Sequence, residues 1–500
     1  MELFIIIIFL LFLPIFVFFV FPRQPSSESG FKSYPIVGSI PGLVKNRHRF
    51  LDWTVETLSR CPTQTAVFRR PGKQQFVMTA NPANVEYMLK TKFDRFPKGE
   101  RFISLLEDFL GRGIFNSDGD MWWKQRKTAS YEFSTRSLRD FVITNATFEI
   151  NNRLVPVLAD AAAAGKSINL EDIMERFTFD NICKLAFNVD SACLGDDGAA
   201  GVEFMRAFET ATMIISQRFQ SAISYSWKIK RKLNIGSERL LRESIVTVHK
   251  FADDIVRHRI DQARTGDNKK EDLLSRFMNN EELNSPELLR DIVISFILAG
   301  RDTTSSALSW FFWLLSKHPQ VENKIIQELK SIRARTGKRI GEVYGFEDLK
   351  LMNYLHAAIT ESMRLYPPVP VDTMSCLEDT VLPDGTFVGK AWGISYNAYA
   401  MGRMESIWGE NCERFDPERW IDETDGGFRG ENPYKFPVFH AGPRMCLGKE
   451  MAYIQMKSIV AAVLDRFVVE VPGKNERPEI LLSVTIRIKG GLFVRVHERT

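Results

Sequence analysis

The first hydrophobic pattern along the chain is a continuous apolar run at its amino end. Between Leu3 and Phe21 no side chain is charged or can form a hydrogen bond. As a helix rising about 1.5 Å per residue, this run nearly spans a hydrocarbon core of about 30 Å. A cleaved signal peptide, the alternative, would have a basic start and a shorter apolar stretch, whereas Glu2 is acidic. The pattern therefore predicts a transmembrane anchor over 1–22, with Arg23 and the chain that follows on the cytosolic side.

Beyond this run the chain mixes helical and strand-like patterns. Prolines within 23–44 predict a stiff linker. After about residue 45 neither a long tract of Gly, Ser or Pro nor an internal repeat marks a further boundary, so we predict a single large domain over 45–500. Its fold class is mainly α with small β-sheets, because most of 120–360 has helical periodicity. The strand-like stretches are short and lie at 65–80, 380–400 and 465–498.

The longest helical pattern starts at Ser285, an N-cap residue, with Pro286 at the first helical position. It runs to about Ser316, and its middle is apolar nearly all round, as in a central buried helix. A second membrane span is the alternative, but Arg301 and Asp302 at its midpoint would make such a span costly. We expect one helix of about 45 Å through the interior of the domain.

Composition narrows the possible classes of protein. With 44% hydrophobic and 26% charged residues the chain is globular rather than disordered. Its net charge of +4 is too small for the phosphate contacts of a nucleic-acid-binding protein. Six cysteines in 500 residues do not make a disulfide framework and indicate reduced thiols. The 38 phenylalanines predict an interior or a pocket lined by apolar rings.

Small and polar residues interrupt the middle of the long helix at 299–304. Glycine in a helix interior costs up to about 1 kcal/mol relative to alanine, so Gly300 needs a reason. The Thr303 hydroxyl lies one turn after Ala299 and can compete for its carbonyl, which would loosen the helix. Asp302 adds an acid beside this notch. From these residues alone, a packing notch and a functional site are both open.

A second group of residues, 439–448, places Cys446 in a loop rich in Gly and Pro just before a helical pattern. Backbone N–H groups and the helix dipole favour a thiolate at such a position. Gly442 and Gly448 allow a tight turn or the close approach of a flat ligand. A zinc site is not expected, since no second Cys or His lies within the usual ligand spacing. The other cysteines are expected to be small buried apolar side chains: Cys61, Cys183, Cys193, Cys376 and Cys412.

The order Phe-x-x-Gly-x-Arg-x-Cys-x-Gly at 439–448 resembles the haem-binding loop of the cytochrome P450 haem-thiolate monooxygenases at every fixed position. Glu361 and Arg364 resemble the Glu-x-x-Arg pair of that family, which a later arginine joins, here Arg419. The resemblance extends from the anchor to the end of the chain. It implies the cytochrome P450 fold, in which a central long helix crosses a mainly helical domain.

The resemblance assigns roles to residues around an expected haem b. Cys446 would be the axial thiolate ligand of the iron, and Phe439 would shield its sulfur. Thr303 and Asp302 would deliver the protons that oxygen activation requires. The remaining expected haem contacts are Trp122, Arg126, Arg444 and Gly448, with the two arginines pairing with propionates.

Electrons must come from another protein, because the chain has no dinucleotide-binding Gly-x-Gly-x-x-Gly. Gly111-Arg112-Gly113 lacks the third glycine. The resemblance therefore implies that NADPH and flavins act through a separate membrane-bound haemoprotein reductase that docks on the cysteine side. Four lysines are either contacts for this reductase or part of a solvated basic face: Lys124, Lys127, Lys435 and Lys449.

The residue order in 299–305, 366–370 and 400–404 resembles the plant branch of fatty-acid ω-hydroxylases. This implies a lipid substrate that dioxygen hydroxylates at its terminal carbon, with the hormone conjugate jasmonoyl-isoleucine as the alternative substrate. Animal ω-hydroxylases carry a glutamate that can esterify haem at the position of Ala299, so non-covalent haem is implied here. The expected pocket residues are Phe115, Leu298, Ala299, Val369 and Val371, under a roof of five phenylalanines, Phe93, Phe96, Phe102, Phe109 and Phe115 itself. Candidates for meeting the substrate carboxylate are Arg69, Arg70 and Lys98.

Two other classes of haem protein compete with a monooxygenase. A haem sensor or carrier has no need of proton delivery, and a thiolate isomerase that rearranges peroxides commonly lacks the helix threonine. Asp302 and Thr303 argue against both. The expected location is the endoplasmic reticulum membrane, with a single span and the catalytic domain facing the cytosol. The glycosylation sequon at Asn145 would then stay unmodified.

Overall fold

The computed structural model describes residues 30–34, 37–70, 75–133, 135–195, 199–221, 226–265, 272–473 and 475–499. The predicted anchor over 1–22 lies outside these residues, as does most of the loop expected near 264–272. Within the described ranges no helix has both the length and the apolar character that a membrane span requires.

Helices make up most of the described chain, as the periodicity predicts. The α-helices are α1 Ile40–Lys45, α2 Phe50–Ser59, α3 Pro82–Glu86, α4 Gly99–Leu110, α5 Gly119–Ser130, α6 Thr135–Asp140, α7 Thr147–Glu149, α8 Val155–Ala163, α9 Leu170–Phe187, α10 Ala199–Phe219, α11 Ser226–Leu233, α12 Gly236–Thr265, α13 Leu273–Met278, α14 Pro286–Ile297, α15 Thr303–Lys317, α16 Pro319–Thr336, α17 Phe346–Lys350, α18 Asn353–Leu365, α19 Ala398–Met401, α20 Glu405–Trp408 and α21 Lys449–Arg466. Four π-helical turns are Tyr87–Thr91, Phe141–Ala146, Ile150–Leu154 and Leu298–Asp302. The 3₁₀ turns are Arg47–Arg49, Phe93–Arg95, Ile114–Asn116, Tyr131–Phe133, Pro417–Trp420, Pro437–Phe439 and Gly442–Arg444.

The strands are short, and all except Ile168–Asn169 and Val371–Ser375 fall where the alternating pattern predicts them. They are β1 Thr65–Arg69, β2 Gln75–Thr79, β3 Ile168–Asn169, β4 Val371–Ser375, β5 Thr380–Val381, β6 Phe387–Val388, β7 Gly393–Asn397, β8 Phe467–Glu470, β9 Ile480–Leu482, β10 Ile486–Ile488 and β11 Phe493–Glu498. The sheets have the strand orders β1-β2-β7-β4, β10-β9, β3-β11-β8 and β5-β6. The prediction of a mainly α protein with small β-sheets is confirmed.

Two compact units divide the chain. The first consists of the described residues up to Gly99 together with 371–412 and 441–444. Its four-stranded sheet begins with the predicted hairpin, in which β1 and β2 run antiparallel with Val67 opposite Val77. β7 then pairs in parallel with β2 and antiparallel with β4.

The second unit holds 100–370, 413–440 and 445 to the end. Its core is built around the long helix predicted from Ser285, and here the prediction is confirmed. The Ser285 side chain accepts a hydrogen bond from Leu288 N at 3.3 Å, and the helix ends at Lys317, with His318 as its C-cap residue before a proline. In between, α14 and α15 are joined by the π turn Leu298–Asp302, so one axis is kept while the hydrogen-bond ladder changes register.

A hairpin of β9 and β10 near the carboxyl end is fixed to several parts of the second unit. Ser216 donates to the Leu482 carbonyl at 3.0 Å, and Ser306 on α15 donates to the Ile486 carbonyl at 2.5 Å. The Ile486 N–H donates to the Pro368 carbonyl at 2.9 Å. Three separate segments therefore hold the hairpin backbone beside the central helix.

The predicted glutamate–arginine pair is fully buried on α18. Arg364 Nε lies 2.7 Å from Glu361 Oε2, and neither side chain is exposed. Glu361 also accepts from Trp420 Nε1 at 2.8 Å and lies 3.6 Å from Arg419 Nε. Arg364 donates to the Arg414 carbonyl at 2.9 Å. The structure thus brings Glu361, Arg364 and Arg419 together and uses them to hold the segment that leads to the cysteine loop.

Removing one partner of this pair leaves a charge buried without compensation. We expect Arg364→Ala to lower the free energy of unfolding by about 3–5 kcal/mol. The matched control is Lys350→Ala, which breaks another pair with (i, i+3) spacing, Glu347–Lys350, at 3.2 Å but with both side chains more than half exposed. Its unfolding midpoint in denaturant should stay that of the unmodified protein, because water screens an exposed pair. Equal losses in the two variants would contradict a burial-based account.

Candidate active site

The cysteine loop starts with the 3₁₀ turn Pro437–Phe439 and ends at the first residue of α21. The Cys446 N–H donates to the Phe439 carbonyl at 2.8 Å, and Gly448 is the N-cap residue of α21. This places the thiol at the amino end of an 18-residue helix, as the sequence predicts. The Phe439 ring lies 5.3 Å from that of Tyr453, with the planes tilted by 41°.

Cys446 differs from the other cysteines in its surroundings. It is exposed, whereas the other five are buried, as predicted for them. Burial nevertheless raises the pKa of the Cys446 thiol, against the opposing effects of the Gly448 N–H, Arg126 and Lys449. The thiol is therefore accessible and at the same time costly to ionise without a partner. A coordinated metal ion deprotonates a thiol outright, so this sulfur suits a metal-bound thiolate.

Arg126 lies beside the cysteine loop on α5. Its Nη2 donates to the Met445 carbonyl at 2.7 Å, and this is its one hydrogen bond to the described residues. The guanidinium carbon lies 5.9 Å from the centre of the Trp122 ring. Burial lowers the pKa of Arg126, while the nearby Cys446 raises it. Several N–H donors of a desolvated guanidinium are therefore available for a carboxylate.

The middle of the central helix is partly accessible, although the helix on both sides is buried. From Asp291 to Leu315 every residue is buried except Ala299, Gly300, Asp302 and Thr303. The Thr303 hydroxyl donates to the Ala299 carbonyl at 2.6 Å, which is the bond that its position predicts. This bond coincides with the π turn, so the helix is loosened where it is accessible.

Asp302 is held by its neighbour Arg301. Arg301 Nη1 donates to Asp302 Oδ1 at 2.9 Å, and Arg301 Nη2 donates to Glu175 Oε2 on α9 at 3.0 Å. Burial raises the pKa of Asp302 above its usual range, and Arg301 opposes that rise. The second carboxylate oxygen, Oδ2, has no hydrogen-bond partner among the described residues. The carboxyl is therefore fixed at one oxygen and available at the other.

Comparison with known proteins decides the family. A family model described as cytochrome P450 matches residues 29–493. The chain is 51% identical over 481 residues to cytochrome P450 CYP94D108 of Paris polyphylla, an alignment that covers 96% of this chain and 94% of that protein. It is 45% identical over 491 residues to cytochrome P450 94A2 of Vicia sativa, with 96% and 94% covered. With cytochrome P450 94B1 of Arabidopsis thaliana it shares 44% identity over 483 residues, with 95% and 92% covered.

This chain belongs to the cytochrome P450 family. It is a monooxygenase that uses dioxygen, binds haem b without a covalent link, and receives electrons from a separate reductase. The donor set described above fits such a group. A thiol favoured by metal coordination lies near an arginine with donors for a carboxylate, and the central helix presents an accessible stretch of small and polar residues.

Glycine stands at three positions near the site of this cytochrome P450 for different structural reasons. A Cβ on Gly300 would lie 2.6 Å from Ile182 Cγ1, so the packing interpretation is right for this position, where α9 fills the notch. A Cβ on Gly448 would meet only ordinary contacts, at 3.5 Å from Phe133 and 3.9 Å from the Cys446 sulfur. In the first unit, Gly442 has φ +65° and a Cβ there would be 1.9 Å from the Leu89 carbonyl oxygen, so only glycine fits.

Phe115 and Val369 are exposed in the second unit, in the turn Ile114–Asn116 and just after α18 respectively. Ala299 is partly accessible and Leu298 is buried. These residues provide apolar surface. Val371, in β4 of the first unit, is half-buried, and its place in a pocket stays a prediction.

Core packing accounts for two of the five phenylalanines expected to form a roof. Phe96 and Phe109 are almost fully buried, and the Phe109 ring lies 4.9 Å from that of Phe208. The Phe102 ring lies 5.6 Å from the ring of Phe219. Among the five, Phe115 alone is exposed, so the roof prediction is reduced to that residue and the half-buried Phe93 and Phe102.

Several predicted cations have partners within their own units. Lys98 lies 2.5 Å from Asp372, which already neutralises its charge, so it is a poor candidate for a substrate carboxylate. Lys124 pairs with Glu282, and Lys435 with Glu431 at 3.0 Å. Lys127 stands 5.0 Å from the Trp123 ring centre, and Lys449 is exposed. Arg444 is half-buried in the first unit, and its pairing with a propionate stays a prediction.

Sequence reasoning missed Arg301 and Glu175 as parts of the site. Arg301 was visible as a charge in an apolar helix, and such a charge requires a partner. Glu175 stands 126 residues away in the chain, and no local pattern links the two.

We expect Gly300→Ala to destabilise the protein by about 1–3 kcal/mol, because crowding against Ile182 outweighs the better helix propensity of alanine. Ile182→Ala removes Cγ1 and Cδ1 and should also destabilise. The double variant should lose less stability than the sum of the two losses, because the close contacts of the new methyl group with Cγ1 and Cδ1 are then gone and only that with the Cβ of residue 182, at 2.8 Å, remains. Denaturant unfolding of the four proteins measures this coupling, and strictly additive losses would contradict the packing role of Gly300.

Proposed function

We propose that this cytochrome P450 hydroxylates the terminal carbon of fatty acids, with Cys446 as the thiolate ligand of haem. The observation that carries the proposal is the pairing of two features in the second unit. Cys446 is an accessible but desolvated thiol at a helix amino end, and Ala299, Asp302 and Thr303 form an accessible stretch within a buried helix. The first suits a haem iron, and the second supplies apolar surface and proton-carrying groups.

Bound haem b supplies the activation of dioxygen through which one oxygen atom enters a C–H bond. The chain provides the setting for this reaction. Arg126, beside Trp122, would hold a haem propionate, since a guanidinium fork matches a carboxylate. Thr303 keeps its hydroxyl fixed on the Ala299 carbonyl. Asp302 holds and releases a proton at Oδ2, the oxygen that Arg301 leaves available.

Apolar surface supports an acyl chain as the substrate. Phe115, Ala299 and Val369 are the accessible apolar side chains among the predicted pocket residues of the second unit. Each methylene that leaves water contributes roughly 0.8 kcal/mol, so a long aliphatic tail gains affinity without polar contacts. The position of attack then depends on how far the tail reaches past Phe115.

Membrane attachment is part of the proposal. The uncharged run Leu3–Phe21 is long enough to span a bilayer, and Arg23 and Lys32 follow it. We infer a single span in the endoplasmic reticulum membrane, a linker over 23–44 and a catalytic domain over 45–500 in the cytosol. The reductase would then share the same membrane and meet the face that carries Lys127 and Lys449.

Product analysis tests the substrate class. The full-length holoenzyme, with an NADPH–haemoprotein reductase, should convert saturated fatty acids of graded chain length mainly to ω-hydroxy acids. A parallel arm contains jasmonoyl-isoleucine, and turnover confined to that arm would replace the fatty-acid proposal by its alternative. No hydroxylated product in either arm, despite reduction by NADPH, would contradict both.

Phe115→Ala serves as the variant for regioselectivity. A shorter side chain lets the tail pass farther, so the share of in-chain products should rise several-fold. Phe148→Ala is the matched control, because Phe148 is another exposed phenylalanine of the second unit, on α7, where Arg153 stands 5.3 Å from its ring centre. An unchanged product ratio in Phe115→Ala would remove Phe115 from the pocket.

A further inference from the structure

A chain of ion pairs leads from Asp302 to the surface of the second unit. Arg301 bridges Asp302 and Glu175 at 2.9 and 3.0 Å. The other oxygen of Glu175 pairs with Arg487, and Arg487 Nη1 lies 2.5 Å from Glu209 Oε1. The Arg301 side chain is 2% exposed, whereas that of Glu209 is 44% exposed. We call these five residues the ionic chain.

The members of the ionic chain come from four separate elements. Glu175 lies on α9, Glu209 on α10, Arg301 and Asp302 in the π turn, and Arg487 in β10. The backbone next to Arg487 is held by two hydrogen bonds of Ile486, described above, so the hairpin presents its guanidinium from a fixed place. Thr178 and Ser305 also donate to the Arg301 carbonyl, at 3.1 and 2.8 Å.

The charges that face Asp302 come from each of these elements. Arg301 and Arg487 lower the pKa of its carboxyl, and Glu209 raises it. Burial raises the pKa of Glu175, which Arg301 and Arg487 oppose. Glu171, one turn before Glu175 on α9, has a pKa raised by burial to about 7, which Arg487 again opposes.

The ionic chain does not conduct protons. A guanidinium stays protonated throughout the physiological range, so neither arginine passes a proton along. The effect of the ionic chain on Asp302 is therefore geometric and electrostatic. Arg301 fixes Oδ1 and leaves Oδ2 without a partner among the described residues, and the charges behind Arg301 determine how firmly Asp302 keeps a proton.

We propose that Arg487 and Glu175 are positioning residues of the monooxygenase reaction. Arg487 pairs with Glu175, Glu175 pairs with Arg301, and the three charges together surround Asp302 and leave its Oδ2 oriented to take up and release a proton. The inference rests on the proposed role of Asp302 and assigns a part in the reaction to the β9–β10 hairpin.

The experiment measures product formed per NADPH against pH in the full-length holoenzyme with reductase. This coupling should fall on the acid side, where Asp302 stays protonated. Arg487→Gln removes a positive charge that favours the Asp302 carboxylate. The pH at which coupling falls should therefore rise by about one unit, since an opposite charge nearby shifts a carboxyl pKa by about one to three units. Arg487→Lys should restore most of the original curve. Glu209→Gln removes a negative charge at an exposed position, so the fall in coupling should move to lower pH.

Lys489→Gln is the matched control. It removes the same charge just past β10, where Lys489 pairs with Glu479 at 2.8 Å and both side chains are more than half exposed, so the curve should not move. The infrared carbonyl band of protonated carboxyls can be followed in the resting holoprotein, without turnover. Its titration should shift to higher pH in Arg487→Gln and to lower pH in Glu209→Gln. If Arg487→Gln does not fold, the direction of the Glu209→Gln shift tests the proposal instead.

Asp302→Asn separates this inference from the proposed function. It should flatten the pH profile of coupling, and an unchanged profile would refute the role of Asp302 itself. A flattened profile in Asp302→Asn, with unmoved curves in Arg487→Gln and Glu209→Gln, would overturn the present inference alone. Shifts of the same sign in these two variants, or an equal shift in Lys489→Gln, would overturn it as well.

Discussion

The desolvation of ionisable groups is the constraint on which this molecule depends. A charge in a protein interior must be paired and hydrogen-bonded, or it is lost to protonation. Glu361 meets this requirement with Arg364 and Trp420, and Asp302 meets it at one oxygen with Arg301. Cys446 meets it only in part, because its neighbours do not offset the cost of burial. In the proposed role of Cys446 as the haem ligand, coordination to the iron would resolve that imbalance.

The same constraint separates structural charge from functional charge. In the Glu361 cluster both carboxylate oxygens have donors, and the result is a rigid support. In the ionic chain one oxygen of Asp302 is left available, and the exposed end at Glu209 lets solvent influence the total charge. A network in which every carboxylate oxygen has a donor suits a structural support. A network with one carboxylate oxygen left available suits the uptake and release of a proton.

Local features were predictable from the sequence because their signals are local. Ser285 and Pro286 mark the start of the central helix, and the bond from Thr303 to Ala299 follows from their spacing of one turn. The family motif similarly pointed to the Cys446 loop. What no local pattern contains is the joining of distant segments, such as Arg487 to Glu175. Gly300 shows a further limit, since the space beside it depends on Ile182 of another helix.

The carbon monoxide adduct of the reduced holoprotein tests the central claim most directly. The account predicts a Soret band strongly shifted to the red, as thiolate ligation gives, and its loss in Cys446→Ser. A band typical of imidazole ligation in the unmodified protein, or a red-shifted band that survives in Cys446→Ser, would contradict the assignment of Cys446 as the ligand.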